Sequence, residues 1–138
     1  MGNLENIFRS ARTIAVVGLS DKPERPSYVV AAYLQAHGYR IIPVNPMLRE
    51  VLGERAFPDL RSIPEPIDIV DIFRKPEDVP GIVEDAISVK AKVVWMQEGV
   101  SHAEAQARAE GAGLIVVMNR CIRKDHEAIA APRGEKPS

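Results

Sequence analysis

Thr13-Ile14-Ala15-Val16-Val17-Gly18-Leu19-Ser20-Asp21-Lys22-Pro23, continuing through Glu24-Arg25-Pro26-Ser27-Tyr28, is the stretch on which the fold reading turns. A short apolar, β-branched run stops at a glycine, a polar loop with prolines follows, and a helical pattern begins. That order is the opening of a strand–helix–strand unit. Ser27–His37 reads as the helix, started by Pro26 and Ser27 and closed by Gly38. The next apolar run, Arg40–Val44, supplies the second strand.

Three more runs of the same kind follow, Ile67–Ile72, Lys92–Met96 and Leu114–Met118. Runs so apolar fit strands buried on both faces. Val79–Val89 reads as a helix with Ile82, Val83, Ala86 and Ile87 on one stripe. Ser101–Glu110 reads as another, opened by Ser101 with Glu104 in a capping box and closed by Gly111. The first ten residues and Lys124–Ala131 are expected to add helices at either end. Alternating strands and helices imply right-handed crossovers and a parallel sheet. The expected fold is α/β, a single Rossmann-like doubly wound domain with a five-stranded parallel sheet flanked by helices. It would span residues 1–131, with 132–138 a frayed polar tail. The connection from Asn45 to Pro66 has no clear crossover helix, and long connections of this kind are usually functional. It is a candidate wall of a binding site.

The 138 residues suit one domain. Eighteen basic and nineteen acidic residues leave a formal charge of −1, which argues against a chain built to coat nucleic acid or an anionic membrane. The single cysteine, Cys121, excludes an internal disulfide framework and points to a reducing cytoplasm. No apolar run approaches the roughly 20 residues of a membrane helix, and the N-terminus lacks the apolar core of a secretory signal. Eleven prolines, with twelve arginines against six lysines, resemble a heat-adapted composition, which a GC-rich genome would also produce.

In an open parallel sheet, ligands bind outside the carboxyl ends of the strands where strand order reverses. Gly18 ends a buried strand, and Ser20 with the first turn of the next helix would make an anion cradle. Lys22 and Arg25 lie in the same loop and would add charge-assisted contacts to phosphate. The bland alternative is a turn glycine beside surface cations. The loop lacks the dinucleotide fingerprint, and the second strand ends in Asn45 where an acid would read a ribose hydroxyl, so NAD is disfavoured. Pro43-Val44-Asn45-Pro46 forms a rigid apolar shelf with Phe73 at the next strand end, suited to an adenine ring. Arg49 and Arg74 would hold a further phosphate, or stand as exposed loop cations. Glu98 precedes a glycine at a strand end, and Cys121 lies near Arg120 and Arg123, where a thiol is either activated or simply buried. Asp68 and Asp71 are expected to contact neighbouring loops. His37, His102 and His126 show neither metal spacing nor an adjacent nucleophile, so no metal site and no catalytic residue is assigned.

Together, Val17–Pro23 with Arg25-Pro26-Ser27-Tyr28, Tyr39–Pro46, Leu52-Gly53-Glu54, Asp68–Arg74, Val94–Val100 and Val117–Cys121 resemble the stand-alone coenzyme A-binding domain family. Its members are single-domain relatives of the N-terminal domain of the succinyl-CoA synthetase alpha subunit. The resemblance runs from about Ile14 to His126. It implies coenzyme A, or an acyl-CoA, as ligand. Gly18, Leu19, Ser20, Asp21 and Lys22 would cradle the diphosphate, with Arg25 in the same loop. Pro43, Val44, Asn45 and Pro46, with Phe73 and Arg74, would hold the adenosine end. Gln97, Glu98 and Gly99 would lie along the pantetheine arm. The synthetase carries its phosphorylated histidine in a second domain that this sequence does not contain, so the ligand transfers and the ligase reaction does not. The rival readings are an accessory component of an acyl-CoA ligase or transferase, and a sensor of another adenine nucleotide.

Overall fold

The computed structural model describes residues 2–130, with side chains from Leu4 onward. Ala131 and the expected tail, 132–138, lie outside the described residues. The elements in chain order are α1 (Gly2–Ser10), β1 (Thr13–Val17), α2 (Pro26–Ala36), β2 (Arg40–Val44), β3 (Glu50–Val51), β4 (Glu54–Arg55), β5 (Ile69–Ile72), α3 (Val79–Ser88), β6 (Val93–Met96), α4 (Ala103–Gly111), β7 (Ile115–Met118) and α5 (Ile122–Ala130).

Each apolar run became a strand, and β1, β5 and β6 are covered on both faces, while the edge strand β7 is only partly buried. The five long strands pair in parallel in the order β2-β1-β5-β6-β7. Alternate residues feed two separate cores. Val17, Val70, Ile72, Val94 and Met96 pack with Val79, Val83 and Ala86 of α3 and with Ala105 and Ala109 of α4. Ile14, Val16, Ile69 and Trp95 pack with α1, α2 and α5 through Phe8, Leu34 and Ile122. Trp95 is fully buried, and its indole N–H donates to the Arg120 carbonyl at 2.8 Å. This is the expected doubly wound α/β fold, with helices on both faces.

The connection 45–66 holds a small antiparallel pair, β3–β4, and a single turn of 3₁₀ helix at Leu60–Ser62. Phe57 continues the main sheet outside β2: its N–H donates to the Pro43 carbonyl and its carbonyl accepts from the Asn45 N–H, both at 2.9 Å. The capping box expected at Ser101 and Glu104 does not form. His102 is the N-cap of α4 instead, its Nδ1 accepting the Ala105 N–H at 3.1 Å. An imidazole nitrogen acceptor does the work of the serine oxygen one residue later in the chain. Helix α5 begins at Ile122, two residues before the expected start. The amide of Ile122 is satisfied by the buried Gln97 side chain at 3.1 Å, a partner remote in sequence.

Candidate functional site

Strand order reverses between β1 and β5, so their carboxyl ends bound the crevice where such folds take ligands. Successive strand ends are laced together one residue beyond the strands: the Gly18 N–H donates to the Val44 carbonyl and the Phe73 N–H to the Val17 carbonyl, each at 2.9 Å. Gly18 has φ +89°, and a Cβ built on it would lie well inside contact distance of the Phe73 carbonyl oxygen. The glycine is therefore demanded by the closeness of β5 as well as by the turn. The sequence offered a phosphate cradle or a plain turn as the reason for this glycine, and neither reveals the closeness of β5.

The loop from Gly18 to α2 is held open by its own serines. The Ser20 N–H donates to Ser27 Oγ, and Ser20 Oγ accepts the Lys22 N–H, both at 3.0 Å. Ser27 is buried at the start of α2, whose N-cap residue, Arg25, makes no side-chain capping bond. The positive end of the helix is thus left for another partner. Asp21, Lys22 and Arg25 are exposed on the rim. Asn45 fastens the next strand end to this loop, Nδ2 donating to the Leu19 carbonyl at 3.0 Å while Oδ1 accepts the Met47 N–H at 2.9 Å.

Two clefts open from the crevice, and Arg74 lines both. The first, of about 290 Å³, has Gly18, Val44, Asn45 and Pro46 on one side and Ile82 of α3 on the other. Pro58, Asp59 and Leu60 close it from the 45–66 connection, which is therefore the wall that its length suggested. Three carboxylates face this cleft, and each is engaged. Asp59 Oδ1 accepts from the Ser62 N–H and hydroxyl, Asp85 pairs with Arg61 at 2.6 Å, and Asp78 pairs with Arg74 at 3.0 Å. The second cleft, a shallower groove of about 620 Å³, runs between Phe73–Pro76 and Gln97–Val100. Glu98 is exposed on its rim and pairs with Lys124 at 3.3 Å. The turn at Gly99 is fixed by Asn119, whose backbone is left-handed (φ +61°) and whose Oδ1 accepts the Gly99 N–H at 2.7 Å.

Of the residues expected at the site, Gly18, Val44, Asn45, Pro46 and Arg74 meet at the first cleft, and Phe73, Arg74, Gln97, Glu98 and Gly99 at the second. Leu19 and Pro43 are buried and line neither. Gln97, though it borders the groove, spends its side-chain oxygen on α5. Asp78, Ile82 and Asp85 were not expected at a site: Ile82 read as core stripe and Asp85 as solvated charge, because a helical pattern does not say which of its edges meets a cavity.

The remaining reactive side chains are occupied elsewhere. His126 accepts from or donates to the Tyr33 hydroxyl through Nδ1 at 2.6 Å, and its ring lies 5.2 Å from that of His37. Burial and the neighbouring His37 push the His126 pKa down. Cys121 is buried in the core beside Trp95 and Ile122. Asp68 accepts the Arg12 and Thr13 N–H groups at 2.8 and 3.0 Å, as its strand-end position suggested. Asp71 departs from expectation: it is fully buried in mid-β5 and neither oxygen has a hydrogen-bond partner. Burial raises its pKa well above the usual carboxylate range. Among the described residues no group of His, Cys, Asp and Glu could hold a metal ion, and no helix is long and apolar enough to cross a membrane.

The chain is similar in sequence and fold to known proteins. The chain is 42% identical over 123 residues to the uncharacterized protein YneT of Bacillus subtilis, covering 89% of this chain and 91% of that one. A hypothetical protein from Pyrococcus horikoshii superposes with a TM-score of 0.90 at 44% identity, covering 92% and 89% of the two chains. An ADP-forming acetate–CoA ligase of Archaeoglobus fulgidus is 26% identical over 105 residues, 70% of this chain but only 16% of the ligase. Residues 12–127, which include both clefts and every strand of the sheet, match the CoA binding domain family, and the chain belongs to that family.

Proposed function

We propose that this chain binds coenzyme A, or an acyl-CoA, across the crevice and catalyses no reaction of its own. The observation that carries the reading is Arg74, which lines both the cleft bounded by Gly18 and Val44–Pro46 and the shallower groove bounded by Phe73 and Gln97–Gly99. A flat base fits the first, an extended arm fits the second, and a diphosphate fits the Gly18 loop, whose following helix carries no side-chain cap. In this reading Gly18–Lys22 and Arg25 surround the diphosphate, Arg74 reaches it from the adenosine cleft lined by Val44–Pro46, and Phe73 and Gln97–Gly99 follow the pantetheine. Pro43 and Leu19 support from beneath. Carboxylates beside the adenosine cleft suit hydroxyl and amino donors better than phosphate, which favours placing the phosphates on the Lys22 rim. A buried lone thiol is in keeping with a cytoplasmic setting.

Isothermal titration with coenzyme A tests the reading. Coenzyme A is expected to bind more tightly than NAD or ATP, and 3′-dephospho-coenzyme A more weakly than coenzyme A. Tighter binding of NAD or ATP would make the chain a sensor of another nucleotide. A second reading, an accessory part of an acyl-CoA ligase, draws on the ligase match. It predicts turnover of acyl-CoA only when a partner supplies the remaining domains.

A further inference from the structure

We propose that Asp78 sets the affinity of the crevice for phosphate-bearing ligands by competing with them for Arg74; the proposal rests on the coenzyme A reading above. The stem of Arg74 lies over Gly18, where a Cβ would stand 3.0 Å from Arg74 Cδ. A side chain there would crowd the stem, whose head is turned toward α3. Both Nε and Nη2 donate to one oxygen, Asp78 Oδ2, at 3.2 and 3.0 Å. That is not the parallel fork onto two oxygens that makes arginine–carboxylate pairs strong. The pair is also solvent-facing, with the two side chains 49% and 34% exposed, a setting in which ion pairs exchange at little cost.

Asp78 has no competing task on its own helix. It occupies the N-cap position of α3 but makes no capping bond, because its backbone is already helical (φ −85°, ψ −14°). The neighbouring carboxylates of the cleft do not substitute for it, since Asp59 is held by Ser62 and Asp85 by Arg61. A phosphate at the Gly18 loop offers Arg74 more charge and a better fork than one carboxylate oxygen. Arg74 is then drawn from Asp78 to the ligand, so binding must first break the Arg74–Asp78 pair. The affinity of the free protein is held below what its cations alone would give.

The test is calorimetric titration of coenzyme A, and separately of inorganic pyrophosphate, into the wild type, Asp78→Asn, Arg74→Ala and the double variant. Circular dichroism confirms that each is folded. Asp78→Asn is expected to tighten both ligands about 3–10-fold, the scale of one nearby unit charge in a solvent-facing cleft. The gain is expected to vanish in the Arg74→Ala background. Equal affinity of wild type and Asp78→Asn overturns the competition, and so does a gain that persists without Arg74, which is simple repulsion. Pyrophosphate binding with that pattern but no uptake of coenzyme A upholds the competition and fails the coenzyme A reading. No uptake of either ligand by any variant overturns both.

Discussion

The two clefts beside Arg74 grow from the same kind of strand end and differ in what closes them. The adenosine-sized cleft has a third wall, Pro58–Leu60, because the long connection after β2 folds back over it. The groove toward β6 has no such cover, and its walls are two loops, Phe73–Pro76 and Gln97–Val100. A cleft walled on three sides is selective for shape, whereas a shallower groove tolerates whatever hangs from that shape. A binding domain built in this way would read the nucleotide end of a coenzyme strictly and its acyl end loosely.

The division can be broken at its root by Gly18→Val. The new side chain meets the Phe73 carbonyl and sits in left-handed backbone, so both clefts should be lost together. Strain and overpacking should cost about 3 kcal/mol or more, read as a fall in melting temperature. A normally stable variant would show that β1 and β5 do not meet as described. Lys22→Ala should leave stability unchanged and weaken coenzyme A by about 1–3 kcal/mol, the worth of a charge-assisted hydrogen bond. Pantetheine, which has no diphosphate, should be unaffected in the same titration.

The sharper test separates the clefts. Ile82→Trp places bulk in the enclosed cleft and should weaken adenosine 3′,5′-bisphosphate and coenzyme A alike, by about tenfold or more. Glu98→Lys, on the rim of the groove, should leave the bisphosphate unchanged. If both ligands respond equally to both variants, the two clefts are one site. The smallest effect is expected beneath them, at Asp71 on the strand that divides the clefts. Burial holds its pKa in the folded chain above the ordinary carboxylate value at which the unfolded chain titrates. Stability present below that value is therefore lost as pH rises through and above it. Asp71→Leu should remove the slope and stabilise by about 1 kcal/mol at neutral pH, since two unpartnered oxygens disappear. Melting curves across the pH range check this, with coenzyme A affinity expected to hold.

Much of the molecule was legible because its signals are local. The bounds of β1 and β2 follow from uninterrupted apolar runs, and α2 from Pro26 at one end and Gly38 at the other. What escaped were features decided by distant partners. Ser101 looked like a cap, but His102 took the role, with its own N–H donating to Met118 Sδ on the neighbouring strand at 3.3 Å. Asp71 was read with Asp68 as a loop contact, but β5 lies between β1 and β6, and Asp71 is buried within it.

By itself the sequence determined the alternation of strands and helices, the glycine-ended first strand with its basic loop, and the motifs that mark the family. Periodicity, capping and turn residues act within a few positions of one another and leave their mark in the chain. Only the tertiary structure decided that Gly18 must clear the Phe73 carbonyl, that 58–60 walls the adenosine-sized cleft, and that Asp78 holds Arg74 at the junction. Those outcomes depend on strand order and on which helix edge faces a cavity, and both are set when the sheet assembles, not by any single segment of it.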